Sequence, residues 1–178
     1  FQSEAFLKQN MVASKRVQVP HRWIQLGRAW FSGDYVDTLR VIKVDRSPIT
    51  RYWTNEITSG TNQKSEGFEV ETNDSVTLIL DITCTAMIDE PNTPMFLYRY
   101  PIGKLESVMD QEVRARIQTE LTSEIGQASL EEVKTNKSQY ISNVRDRVTK
   151  YFAGRGLTIT TLGSAGGLNY RNPAIQQA

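Results

Sequence analysis

The sequence predicts an α+β domain in which an antiparallel or mixed β-sheet carries two main helices and leads into the start of a further C-terminal helix. Three observations carry that expectation. Residues 76–88 alternate apolar and mostly polar side chains at period two, and residues 109–125 repeat apolar side chains every four positions. The order along the chain is strands, then helix, helix, strand and a helix start. At 178 residues, 39% of them hydrophobic and 23% charged, the chain is long enough to bury such a core without disulfides.

The strands come first. Residues 16–26, 38–44 and 49–58 carry β-branched and aromatic side chains in short runs. They are separated by the turn-rich stretches Phe31-Ser32-Gly33-Asp34 and Ser59-Gly60-Thr61-Asn62. A long hairpin follows. Phe68, Val70 and Thr72 alternate with Glu69 and Glu71, and Asn73-Asp74 supplies residues tolerant of the positive φ of a tight turn. Val76, Leu78, Leu80, Ile82, Cys84, Ala86 and Ile88 then form the inward row.

Beyond Pro91 and Pro94 the period becomes helical. Met109, Val113, Ile117, Leu121 and Ile125 form one stripe, Glu112, Arg116 and Glu120 offer alternating charges at the same spacing, and Gly126 closes the helix. Ser129-Leu130-Glu131-Glu132 has the form of a capping box, in which the serine hydroxyl and the glutamate carboxylate each satisfy an orphaned backbone N–H. The helix it opens is expected to reach about residue 153 and stop at Gly154. Its stripe is Val133, Tyr140, Ile141, Val144, Val148, Tyr151 and Phe152, with Arg145, Arg147 and Lys150 toward the negative end of its dipole. A last strand is expected over 157–162, then a flexible Gly-Ser-Ala-Gly-Gly connector at 163–167, and Asn172-Pro173 reads as an N-cap with proline at the first helical position. The predicted division is a domain at 1–162 and a connector plus helix start at 163–178.

Several function classes find no support. The formal charge is +1 and no basic arm is present, which argues against nucleic acid as a partner. No run approaches the roughly 18 apolar residues of a membrane span; the most apolar stretch, 76–82, is interrupted by Thr77 and Asp81. His21 is the only histidine and Cys84 the only cysteine, so neither a metal cluster nor a Ser-His-Asp arrangement can be assembled around them. The glycines at 163–167 lack the lysine-serine pair of a phosphate loop. Asp34, Asp37 and the run Asp45-Arg46-Ser47-Pro48 read as solvated turns. Trp23, Trp30, Tyr35, Tyr52 and Trp53 read either as half-buried strand aromatics or as a binding or membrane-interface patch. No enzyme activity and no cofactor is expected.

The run VRARIQTELTSEIGQASLEEVKTNKSQYISNVRDRVTKYFAGRGLTITTLGSAGGLNYRNPAIQQA resembles the C-terminal half of SPFH, or band 7, domains, the group containing stomatins, prohibitins and flotillins. The shared features are a helix ending in glycine, an SLEE helix start, a following G-(L/I)-x-(I/V) strand, and an N-P-x-I-Q-x-A opening of a long coiled-coil helix. Upstream, GFEVETNDSVTLILDITCTAMIDEP is similar to the family's central hairpin and MFLYRY to the segment after it. Three features depart from the pattern: Ser75 follows Asp74, Glu90-Pro91 stands where Asp-Pro is usual, and the Gly-Pro-Gly-rich approach from the membrane is not recognisable.

The resemblance implies a non-enzymatic building block of membrane-associated homo-oligomeric scaffolds. Such assemblies organise membrane proteins or lipids as rings or cages; the alternative is an adaptor that holds a membrane protease or chaperone partner. The membrane would be reached through an anchor outside this chain. Both ends read as cuts, since the chain starts at Phe1 and stops directly after a helix start. A helix that short is stable only if it continues or packs on a neighbour, so Leu168, Tyr170 and Ile175 are expected at or near contacts between subunits.

Overall fold

The computed structural model describes residues 20–38, 42–101 and 103–170. Between Lys43 and Val44 the chain divides into two units, each with its own sheet. In the first, strands β1 (His21–Gln25) and β2 (Gly33–Asp37) form an antiparallel hairpin. Trp23 lies opposite Tyr35 with ring centroids 5.0 Å apart in an edge-to-face pair. This corrects two expectations. Gly33-Asp34 belongs to a strand and not to a turn, and residues 42–44 are not a strand, while 39–41 lie outside the described residues. The cross-strand aromatic pair sets the register, and Trp23 closes over Gly33 so tightly that a Cβ there would sit 2.5 Å from the indole ring.

In the second unit, β3 (Ile49–Trp53), β4 (Phe68–Glu71), β5 (Thr77–Met87) and β6 (Thr158–Tyr170) form one antiparallel sheet. β5 is its axis. β4 pairs with the first half of β5 and β3 with the second half, while β6 runs along β5 from Leu78 to Met87. The inward row lies where the alternation put it: Leu78, Leu80, Ile82, Cys84, Ala86 and Ile88 are all buried. The strand expected over 49–58 stops at Trp53, because the chain then folds back and Glu66 N–H donates to Thr54 O at 2.8 Å.

The β4–β5 turn is a three-residue loop. Ser75 N–H donates to Thr72 O and Thr72 N–H to Val76 O, each at 3.0 Å, and Ser75 itself adopts φ 61°. Positive φ was expected of Asn73-Asp74. Those residues serve another purpose: Asn73 N–H donates to Ala128 O at 3.0 Å, and Asp74 Oδ2 accepts from Leu130 N–H at 3.1 Å. The turn is thereby docked on the start of the helix that opens at Leu130. The Thr72 hydroxyl and then the Leu130 N–H hold the Asp74 carboxyl below its ordinary value. Because serine carries the left-handed strain that glycine avoids, Ser75→Gly is expected to stabilise the domain by about 0.5–1 kcal/mol. The check is a rise in urea midpoint at constant slope, and an unchanged midpoint would count against strain at this position.

Helix α1 (Thr93–Arg99) was not anticipated. It follows a 3₁₀ turn at Glu90–Asn92, carries Pro94 in its first turn and buries Phe96. Helix α2 is continuous through three stretches: Leu105–Val108, a π-helical turn at Met109–Val113, and Arg114–Ile125. Leu105, Met109, Val113, Ile117, Leu121 and Ile125 are all buried. In an ideal α-helix each step of four overshoots a full turn by about 40°, so five steps would carry such a stripe about 200° around the rod. The π turn fits one more residue into a turn and takes back part of that drift. Arg51 of β3 clamps this turn, giving two 2.9 Å hydrogen bonds to the Asp110 carboxylate.

Helix α3 (Leu130–Ala153) starts at the predicted capping box, with Ser129 Oγ accepting from Glu132 N–H and the Glu132 carboxylate accepting from Ser129 N–H. It kinks at Asn136, in the Thr-Asn-Lys-Ser stretch between the apolar positions Val133 and Tyr140. Val133, Ile141, Val144, Val148 and Phe152 are buried, while Tyr140 and Tyr151 are half-buried. Glu120 and Glu124 of α2 both pair with Arg147 of α3, Glu120 also accepts from Arg116 at 2.5 Å, and the two helices are stapled along one side. The Glu124 contact leads in holding the Arg147 guanidinium above its ordinary value.

The connector expected at 163–167 is part of β6. Three glycines with Ser164 and Ala165 read locally as a loop, but Gly163 and Ser164 pair with Thr83 and Ile82 and Leu168 with Leu80, which holds the stretch between them in a strand that continues to Tyr170. Asn172-Pro173 and Ile175 lie outside the described residues.

Candidate assembly edge

β6 pairs with β5 on one side, and its outer side stands unpaired among the described residues. A 13-residue edge is long for a domain of this size, and strands at sheet edges are normally guarded by charge, proline or brevity. β6 has no charged residue and no proline: it reads Thr-Ile-Thr-Thr-Leu-Gly-Ser-Ala-Gly-Gly-Leu-Asn-Tyr. Thr160, Thr161 and residues 164–167 are exposed.

The edge is shaped by a bulge. Leu168 stands opposite Leu80 and Ser164 opposite Ile82, so Ala165, Gly166 and Gly167 together face the single residue Asp81. Asp81 is buried and its carboxylate is used within the fold: Oδ1 accepts from Asn55 N–H at 2.7 Å and Oδ2 from the Asn169 amide at 3.3 Å. From the helical side, Lys137 Nζ donates to Gly166 O at 2.6 Å, and Ser164 Oγ donates to the same oxygen at 2.8 Å. Burial lowers the Lys137 pKa, and the charge of Asp81 opposes that shift. These contacts fix the bulge in place. Beside them Lys137, Ser142, Arg145 and Ser164 line an open cleft of ≈ 360 Å³.

Of the residues expected at subunit contacts, Leu168 and Tyr170 lie on β6, opposite Leu80 and Leu78. Both are half-buried against the chain's own core, and the Lys134 ammonium sits 5.5 Å from the centre of the Tyr170 ring. The edge itself was missed by sequence reasoning. The signal for it was the absence of any charged residue between Arg155 and Arg171 in a stretch containing β-branched residues.

The other candidates separate. His21 and Asp37 face each other at 3.6 Å across the first hairpin, both largely exposed. The Cys84 thiol is pushed up to about 12 by burial, which makes it a poor nucleophile. The five aromatics do not form one patch: Trp53 is fully buried against Phe68, with ring centroids 5.7 Å apart, whereas Trp23, Trp30 and Tyr35 are exposed on the first hairpin and Tyr52 on β3. Among the described residues no group of three potential metal ligands comes together, and no helix is long and apolar enough to cross a membrane.

The family model for the SPFH domain / Band 7 family matches residues 23–163. The chain belongs to the SPFH / Band 7 family. No curated protein matches it. Members of this family are generally membrane-associated scaffolds and typically lack enzymatic activity. In this SPFH domain the match spans both units and ends at Gly163, whereas the paired strand continues seven residues further, to Tyr170. The α+β architecture of antiparallel sheets with packed helices is the one expected of the family.

Proposed function

We propose that this SPFH domain is a subunit of a homo-oligomeric scaffold on a membrane, and that copies associate through the outer edge of β6. The observation that carries the proposal is the unguarded edge: 13 residues with neither charge nor proline. Main-chain hydrogen bonds along such an edge supply affinity; since an edge paired with its own copy stops at a dimer, β6 of one copy would meet a different surface of the next, and that head-to-tail contact repeated by rotation closes into a ring. Leu168 and Tyr170 would stiffen this edge from inside while remaining close to the contact. Assembly would be strengthened by number, each interface being modest. The same edge also fits the alternative role, an adaptor that receives a strand from a membrane protease or chaperone.

The two readings differ in what the purified protein does alone. With its native flanking sequence and no partner, the chain is expected to form a large uniform oligomer by light scattering. Thr161→Lys/Ala165→Lys is expected to return it to monomer, with circular dichroism unchanged, since both positions are exposed. An oligomer that survives the double substitution would remove the β6 edge from the interface. A chain that stays monomeric at high concentration, in solution and on membranes, would sink the scaffold and leave the adaptor.

A further inference from the structure

The described residues of the first unit include a two-stranded hairpin, and none of residues 20–38, which span the hairpin and its loop, is buried. Its loop, residues 26–32, lies beyond the last strand pair, Gln25 and Gly33, and carries three large apolar side chains at high exposure: Leu26 at 74%, Trp30 at 82% and Phe31 at 70%. Exposed apolar clusters of this kind mark interaction surfaces.

We infer that this loop is a wedge by which the protein seats in the headgroup region of a lipid bilayer. The inference rests on the membrane association of the family and is independent of how the subunits associate. Two features favour lipid over a protein partner. The base of the loop is pinned, with Leu26 and Gly27 N–H donating to Ser32 O at 2.8 and 3.2 Å and Gln25 Nε2 to Gly27 O at 2.9 Å, so that the side chains at its tip are presented outward. Trp30 and Phe31 stand edge to face, 5.9 Å apart, and tryptophan is the side chain most at home at the boundary between headgroup and acyl chain.

Charge points the same way. Arg28 is the only charged residue in the loop, and a long arginine stem lets its head reach phosphate while apolar neighbours go deeper. Asp34 sits one pair back on the strand, with its carboxylate turned to its neighbour's Tyr35 N–H at 2.8 Å, and Asp37 is at the far end of the hairpin beside His21. With one basic group at the tip, apolar insertion dominates, and anionic lipid adds only a small factor.

The test is flotation of the full chain with phosphatidylcholine vesicles, with and without phosphatidylserine, together with tryptophan quenching by brominated acyl chains. Wild-type protein is expected to float with both vesicle types and to be quenched, while Trp53, fully buried, serves as the unquenched reference within each molecule. Trp30→Ser/Phe31→Ser is expected to lower partitioning by about tenfold or more, with unchanged circular dichroism and unchanged oligomeric mass. Equal flotation of the double variant, absence of quenching in bound wild type, or no binding of wild type to either vesicle would each overturn the wedge. Loss of vesicle binding with oligomerisation intact removes this inference and spares the scaffold, and the converse result does the opposite.

Discussion

Leu80→Asp is expected to abolish cooperative folding. Leu80 is 1% exposed at the middle of the axial strand, with Phe68 opposite it on β4 and Leu168 opposite it on β6. Removing a buried leucine side chain costs about 2–5 kcal/mol by itself. A carboxylate in its place has no cation within the apolar row and either remains charged without solvent or takes up a proton, with a further cost of several kcal/mol. Set against a usual total stability of about 5–15 kcal/mol, the sum removes most or all of the margin. Circular dichroism melts should show no native transition, and a wild-type melting profile would mean that the two faces of β5 are the reverse of those described.

The second large effect is expected at Gly156. It has φ +80°, and a Cβ there would lie 2.6 Å from Phe96 N and 2.7 Å from Asn92 O, both backbone atoms that cannot rotate away. Gly156→Ala therefore combines left-handed strain with a collision between the α3–β6 turn and helix α1. A loss of about 3 kcal/mol follows, or roughly 6–12 °C in Tm for a domain of this size. Gly103 is the internal control: its φ is +68°, but the closest atom to an added Cβ is a leucine methyl at 3.4 Å. Gly103→Ala should cost only the strain, about 1–2 kcal/mol. Equal losses at the two positions would show that packing against α1 contributes nothing.

Much of the second unit was legible because its local patterns report burial directly. The period-two row of β5, the period-four row of α2 and the Ser129–Glu132 box each encode an interaction made within a few residues or one face, and each lies where those patterns put it. The candidate surfaces were not legible in the same way. Trp53 and Trp30 are the same residue type in similar aromatic company, yet one is fully buried and the other 82% exposed, because exposure depends on what the rest of the chain brings up to it. Ser75 and not Asn73-Asp74 takes the positive φ, because the helix start at Leu130 claims the aspartate.

By itself, then, the sequence determined the α+β class, the long hairpin, both main helices and the family, since these rest on repeats that survive in one dimension. Only the tertiary structure decided that residues 163–170 are a strand, that this strand is an unguarded edge, and that the first hairpin holds its aromatics in the open. The physical reason is the same in each case. A glycine-rich stretch has no local preference for a strand and acquires one through hydrogen bonds to a segment some eighty residues away, and a side chain's exposure is set by contacts that are equally remote in sequence.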